Sequence, residues 1–238
     1  MGKSLIQQKR GKGSPTYTRS SHRFKGELGY HTEGSAVITH LLRCPAHTAP
    51  LAALMYEDGS QALVAASEGV RIGDVVEIGD RDAKDVAIAP GNVLPLASIP
   101  EGTPVHSIEL RPGDGGKFCR SSGTEARIVT KTKDKIIVLL PSKKKKDFDP
   151  RCRAIIGTAG GGGRTEKPFL KAGNRYHKAR AKNVRYPMIR GAAQNAVNHP
   201  FGNKRTSRKS HAKPAPANAP PGRKVGMIRP RRSGRKRG

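Results

Sequence analysis

The chain contains no tryptophan, and aromatic residues make up only 4% of its 238 positions. So small an allotment leaves little for a deep small-molecule pocket or for platforms on which several bases stack in succession. Any nucleic-acid recognition must therefore rest mainly on charge. Apolar residues are also scarce at 34%, below the usual globular share, so part of the chain cannot be core. Cys44, Cys119 and Cys152 stand far apart with no C-x-x-C, which argues against a disulfide framework and for reduced thiols in a cytosolic protein. Cys44 and His47 have a C-x-x-H spacing, but no second pair completes the four ligands of a structural zinc site, and no metal or cofactor is expected. No run approaches the roughly 18 apolar residues of a membrane span, and MGKSLIQQKRGKGS lacks the apolar stretch of a secretory signal.

Acidic residues are nearly absent from one region. The net charge of +28 divides into +5 over 1–35, −4 over 36–100, +6 over 101–156 and +21 over 157–238, where Glu166 is the single acid. Such a density of like charge repels itself in a compact monomer and calls for a polyanionic counterpart.

Between the basic ends the pattern is that of short strands. AVITHLL (36–42), PLAALMYE (50–57), QALVAAS (61–67) and DVVEIG (74–79) form a first set, with Asp58-Gly59 as a hairpin signal. VHSIEL (105–110), ARIVTKT (126–132), KIIVLLP (135–141) and CRAIIG (152–157) form a second, with Lys133-Asp134 and the lysine run 143–146 at its turns. The segment 88–104, punctuated by Pro90, Pro95, Pro100 and Pro104, reads as the connection between the sets. Spacing without a 3.6-residue period argues for small barrels. Residues 1–35 read as an extended arm. After Gly157 no β pattern and no helical period is evident, and such a segment should order only against a partner that supplies contacts and negative charge.

The glycine run in GTAGGGGRTEKPFLKAGNRYH (157–177) raises the question of nucleotide binding. With Thr165 placed at the end of a G-x-x-x-x-G-K-[ST] phosphate loop, Arg164 stands where lysine belongs and Thr158 where the first glycine belongs. The dinucleotide pattern G-x-G-x-x-G has no match there either. His199, in RGAAQNAVNHPFG, could in principle act as a general acid or base, but it needs a partner to orient it, and Glu166 alone is acidic in this region. The tail PPGRKVGMIRPRRSGRKRG interleaves Pro, Gly, Val and Met with its cations, which suits a shaped path along phosphates.

NVLPLASIPEGTPVHSIELRPGDGGKFCRSSGTEARIV (92–129), DPRCRAIIGTAGGGGRTEKPFLKAGNRYHKARAK (149–182), PMIRGAAQNAVNHPFG (187–202), APPGRKVG (219–226) and the arm GKGSPTYTRSSHRFKG (11–26) resemble the universal large-subunit ribosomal protein two family in its archaeal form. The resemblance covers nearly the whole chain. It implies an all-β fold: an arm over 1–35, an OB-fold-like barrel over 36–97, an SH3-like barrel over 98–170 and an extended basic tail over 171–238. It also implies a structural, non-catalytic component of the large ribosomal subunit in the cytoplasm, bound to large-subunit rRNA near the peptidyl-transferase centre and to other ribosomal proteins. Contact with the small subunit and indirect contact with tRNA are implied as well. Pro187, Arg190, Gly191, Asn195 and His199 match the family signature, while Asn198 replaces its acidic residue before His-Pro.

On this reading the expected RNA contacts are Lys9, Arg10, Lys12, Arg19 and Arg23 in the arm, and Lys117 and Arg120 in the second strand set. Gly161, Gly162, Arg164 and Lys167 follow in the glycine segment, then Lys171, Arg175, His177, Lys178 and Arg180. Arg190, Asn195, His199, Arg223 and Lys224 complete the set. Two other readings are a ribosome-bound part in peptidyl transfer through His199, which the loss of the neighbouring acid weakens, and a free basic RNA chaperone.

Overall fold

The structure, a computed structural model, describes residues 2–15, 17–18, 23–31, 33–79, 86–203 and 215–228. The chain divides into two compact units, residues 21–169 and residues 1–20 with 170–238.

In the first unit ten strands form one sheet: β1 (Gly34–Leu42), β2 (Leu51–Tyr56), β3 (Gln61–Ala65), β4 (Val75–Ile78), β5 (Val93–Pro95), β6 (Pro104–His106), β7 (Ala126–Lys131), β8 (Ile136–Leu139), β9 (Lys145–Phe148) and β10 (Arg153–Ile156). Their order is β3-β2-β1-β4-β5-β10-β6-β7-β8-β9. β1 pairs antiparallel with β2 and shifts register between Ile38 and His40, while its first half also pairs with β4. Ala36 and Ile38 are buried and Val37 is exposed, the alternation that a sheet with one covered face requires. The β2–β3 hairpin turns at Gly59, whose φ of 79° lies in the left-handed region, and the Asp58 carboxylate accepts the Ser60 N–H at 2.8 Å.

Two large apolar cores and a smaller cluster of Leu28, Cys44, Ala49, Leu51 and Ala65 lie along this sheet. The first gathers Ile38, Leu54, Val64, Val76 and Ile78; the second gathers Ile99, Val105, Ile128, Ile136 and Phe148. The antiparallel pair β5–β10 serves both, because successive side chains on a strand point to opposite faces. Val93 and Ile155 enter the first core, and Leu94, Ala154 and Ile156 enter the second.

The structure differs from the sequence reading at two strands. β5 lies inside the segment read as a connection, and its proline, Pro95, ends the strand without interrupting it. β9 takes in the last two residues of the lysine run. Lys143 turns the hairpin with φ 61°, while Lys146 lies over the rings of Phe118 and Phe148, with Nζ 4.2 and 5.3 Å from their centroids.

Several buried polar groups inside this unit are paired. Arg153 Nη2 meets Glu109 Oε1 at 3.0 Å, and the Glu109 carboxylate also accepts N–H groups from Arg153, Gly113 and Gly115. Arg153 Nη1 donates to the His31 carbonyl at 2.9 Å, and its guanidinium lies 5.0 Å from the Tyr30 ring centroid, so the pair also holds the incoming arm. His106 sits between the hydroxyls of Ser67 (2.7 Å from Nε2) and Ser107 (3.1 Å from Nδ1), and burial lowers its pKa to about 4.

The second unit contains α1 (Ile6–Gly11) and α2 (Ala172–Ala181), two helices in segments read as an extended arm and an irregular tail. Leu5 is its only buried apolar side chain among the described residues. Backbone bonds and close glycine contacts tie its segments together: Lys3 N–H donates to the Val197 carbonyl at 2.8 Å, and Ala215 N–H to that of Met227 at 2.9 Å. A Cβ on Gly202 would fall 2.3 Å from the Asn195 carbonyl oxygen, so only glycine lets these two stretches meet.

Candidate nucleic-acid interface

The glycine run begins where β10 ends. Gly160 N–H donates to the Ala66 carbonyl at 2.8 Å, and Gly161, with φ 81°, opens a 3-10 turn over Gly162–Thr165. A Cβ on Gly123 would lie 2.4 Å from Gly162 Cα, so part of the demand for glycine comes from the protein's own backbone. Gly161, Gly162, Arg164 and Lys167 remain exposed, and Arg164 Nε donates to Ser122 Oγ at 2.8 Å. The glycines run into this turn of four residues, in place of the long helix that a nucleotide-phosphate loop would need.

Lys171 precedes α2, on which Arg175, His177, Lys178 and Arg180 are carried within ten residues and no side chain is buried. A helix polar all round gains nothing from an apolar face and depends on other contacts. Lys178 and Arg180 in its last turn complement the helix dipole. Asn183, at φ 52°, ends the helix: its N–H donates to the Arg180 carbonyl at 3.0 Å, and Val184 N–H reaches the Ala179 carbonyl at 2.8 Å. These are the two bonds of a Schellman motif. Asn183 Nδ2 also donates to the carbonyls of Pro15 and Thr18, which fixes the arm beside the helix end.

His199 is half-buried. Its Nδ1 accepts the Phe201 N–H at 3.0 Å, which leaves Nε2 as the protonated ring nitrogen of the neutral form, and its ring stands 5.3 Å from that of Phe201. Desolvation lowers its pKa, favouring the neutral ring. A Cβ on Gly191 would collide with the imidazole, the nearest atom at 2.4 Å, which accounts for glycine after Arg190. His199 lines a small cavity together with Arg10, Asn198 and Met188. Arg190 and Asn195 are exposed near it in sequence.

The remaining expected contacts are spread over both units. Lys9, Arg10 and Lys12 lie on or just after α1 and are exposed, as is Arg223; Lys224 is partly covered and donates to the Ala217 carbonyl at 3.2 Å. Arg23, Lys117 and Arg120 belong to the sheet unit, where Arg23 and Lys117 are exposed and Arg120 is half-buried. Arg19 lies outside the described residues. The sequence reading passed over Tyr176, Arg185 and Tyr186, which share a cleft with Arg180 at the end of α2. The signal for that cleft was the asparagine stop after a basic last turn, K-A-R-A-K-N.

Charge separates the two units more sharply than any single contact. Residues 1–20 with 170–238 hold 25 of the 46 lysines and arginines and none of the 18 acidic residues. Residues 21–169 hold the other 21 cations and all 18 acids. Among the described residues no group of three or more His, Cys, Asp or Glu side chains could hold a metal ion.

A β body with its own cores and a cationic unit with one buried apolar side chain among the described residues mark a basic, two-unit protein. The model of "Ribosomal Proteins L2, C-terminal domain" matches residues 89–219. The "Large ribosomal subunit protein uL2" of Halorubrum lacusprofundi is 48% identical over 240 residues, covering 99% of this chain and 98% of the relative. Proteins of the same name from Archaeoglobus fulgidus and Methanothermobacter thermautotrophicus are 48% and 46% identical, with both chains covered in full. The chain belongs to the L2 family of ribosomal proteins, in its archaeal form. Its relatives are named as ribosomal proteins, and on that ground it is structural and not an enzyme.

Proposed function

We propose that this protein is a structural constituent of the large ribosomal subunit in the cytoplasm, and that its acid-free unit binds large-subunit rRNA near the peptidyl-transferase centre. In that position it supports subunit assembly, contact with the small subunit and, indirectly, tRNA binding, beside other ribosomal proteins. The observation that carries this reading is the segregation of 25 cations and no anion into a unit with a single buried apolar side chain among its described residues. A surface of that kind gains free energy by displacing the counterions of a phosphate backbone, and α2 gains the contacts it lacks within the chain. In the same reading the first core belongs to the OB-fold-like barrel expected over 36–97 and the second to the SH3-like barrel expected over 98–170, with β5 and β10 contributing to both.

The neutral His199 is suited to donate through Nε2–H to a phosphate or base, and Arg164, Lys167, Lys171, Arg175, Lys178 and Arg180 to neutralise backbone charge. Binding should weaken with salt, with a log–log slope that grows by roughly 0.7 to 0.9 per phosphate contact. Deletion of 170–238 tests the reading. The truncated chain should remain outside the large subunit on sucrose gradients; incorporation at normal occupancy would overturn the proposal.

A further inference from the structure

We propose that the cleft at the C-terminal end of α2 receives one unpaired nucleobase of RNA. The proposal rests on the RNA-binding reading and adds a base receptor to a surface otherwise described by charge. The cleft is lined by Tyr176, Ala179, Arg180, Asn183, Arg185 and Tyr186 among others. Its shape comes from the Schellman turn at Asn183, which folds the chain back so that Tyr186 and Tyr176 border one space.

The chemistry of the lining selects the occupant. Two phenol rings offer apolar faces, with Tyr176 45% exposed and Tyr186 partly covered. The Arg175 guanidinium lies 5.2 Å from the Tyr186 ring centroid, so a base laid on the free side of that ring would complete a stack of guanidinium, phenol and base. Arg180 and Arg185 supply donors to ring nitrogens, carbonyl oxygens or an adjoining phosphate, and neither takes part in an ion pair among the described residues. The whole unit lacks acidic residues that could compete for those donors.

Other uses of the cleft fit less well. A paired base cannot enter a concave site, and the deep, narrow major groove of an A-form helix is closed to side chains, whereas a splayed base stacks on tyrosine or arginine. An acidic peptide would satisfy the cations but would leave the ring faces unused. The chain's few aromatics add weight: Tyr30 and Tyr56 are buried in the sheet unit and Phe118 packs against Phe148, while Tyr176 and Tyr186 share this one cleft.

The test uses the full chain and three probes: a ten-residue oligoadenylate, a strand of equal length and charge with abasic residues, and a ten-residue oligoaspartate. Without tryptophan, tyrosine fluorescence reports binding directly. The proposal expects oligoadenylate to bind roughly 5- to 150-fold more tightly than the abasic strand, from stacking of one base. That ratio should survive Tyr186→Phe and fall towards one in Tyr186→Ala. Tyr176→Ala, at an exposed helix position, should lower the ratio while abasic binding stays unchanged, which separates loss of the receptor from loss of the fold. A ratio near one in the wild type, with both strands bound, would overturn the base receptor and leave the RNA-binding reading standing. So would a full ratio retained in both alanine variants. Failure of both strands to bind would remove both readings, and preference for oligoaspartate over the abasic strand would assign the cleft to a protein.

Discussion

The sheet unit, residues 21–169, balances 21 cations against 18 anions around two large apolar cores, whereas the unit formed by 1–20 with 170–238 carries 25 cations, no anion and Leu5 as its one buried apolar side chain among the described residues. The first meets the cost of its own ordering by burying side chains such as Ile38, Leu54, Ile128 and Ile155. In the second, short helices, a Schellman turn and glycine contacts fix local shape without supplying comparable burial. On the proposed function stability belongs to the sheet unit and most of the recognition to the other, so each can be perturbed without the other.

The largest effect should come from the ion pair inside the sheet unit. Glu109→Ala leaves the Arg153 guanidinium uncompensated and strands three backbone N–H groups, a loss of about 3–5 kcal/mol in denaturant unfolding of the full chain. His106 gives the next largest effect. It is neutral in the fold, with its pKa lowered to about 4, whereas the unfolded chain takes up a proton near pH 6.5. The unfolded state therefore binds more protons between these values, so stability should rise with pH from about 4 to 6.5, by about 3 kcal/mol in total. Unfolding measured at pH 4.5, 5.5 and 6.5 should show the slope in the wild type and a flatter one in His106→Asn.

A smaller effect on stability is expected from the other unit. Gly202→Ala drives a Cβ into the Asn195 carbonyl and should weaken binding to rRNA, while the unfolding midpoint of the sheet unit stays in place. A large fall in that midpoint would break the comparison. At the bottom of the scale, Lys135→Ala removes an exposed partner of Asp147 and should leave the unfolding midpoint unchanged, since both side chains are more than half exposed.

Much of the sheet was legible in the sequence. The short apolar runs AVITHLL, QALVAAS and KIIVLLP placed β1, β3 and β8 within about two residues of their observed ends. β5 and β9 were hidden by their chemistry: prolines and lysines argue against strands, yet Pro95 stands at a strand end and Lys146 packs its charge over aromatic rings. α2 was hidden because a helix polar all round carries no apolar period. The burial of Glu109 and His106 was also illegible. Each sits among strand residues, and only the partners brought from distant positions, Arg153 and Ser67, make its burial tolerable. The expected contacts were read from charge and from the family resemblance, but the cleft that unites Tyr176 with Tyr186 depends on a turn at Asn183 that composition does not reveal.

Hydrogen exchange of the full chain, free and bound to large-subunit rRNA, tests the division of labour most directly. In the free protein, amides of β1, β2, β7 and β10 should be strongly protected, while those of α2 and of 184–203 exchange rapidly; binding should slow the latter group and leave the strands nearly as they were. Equal protection of α2 and the strands in the free chain would contradict the account.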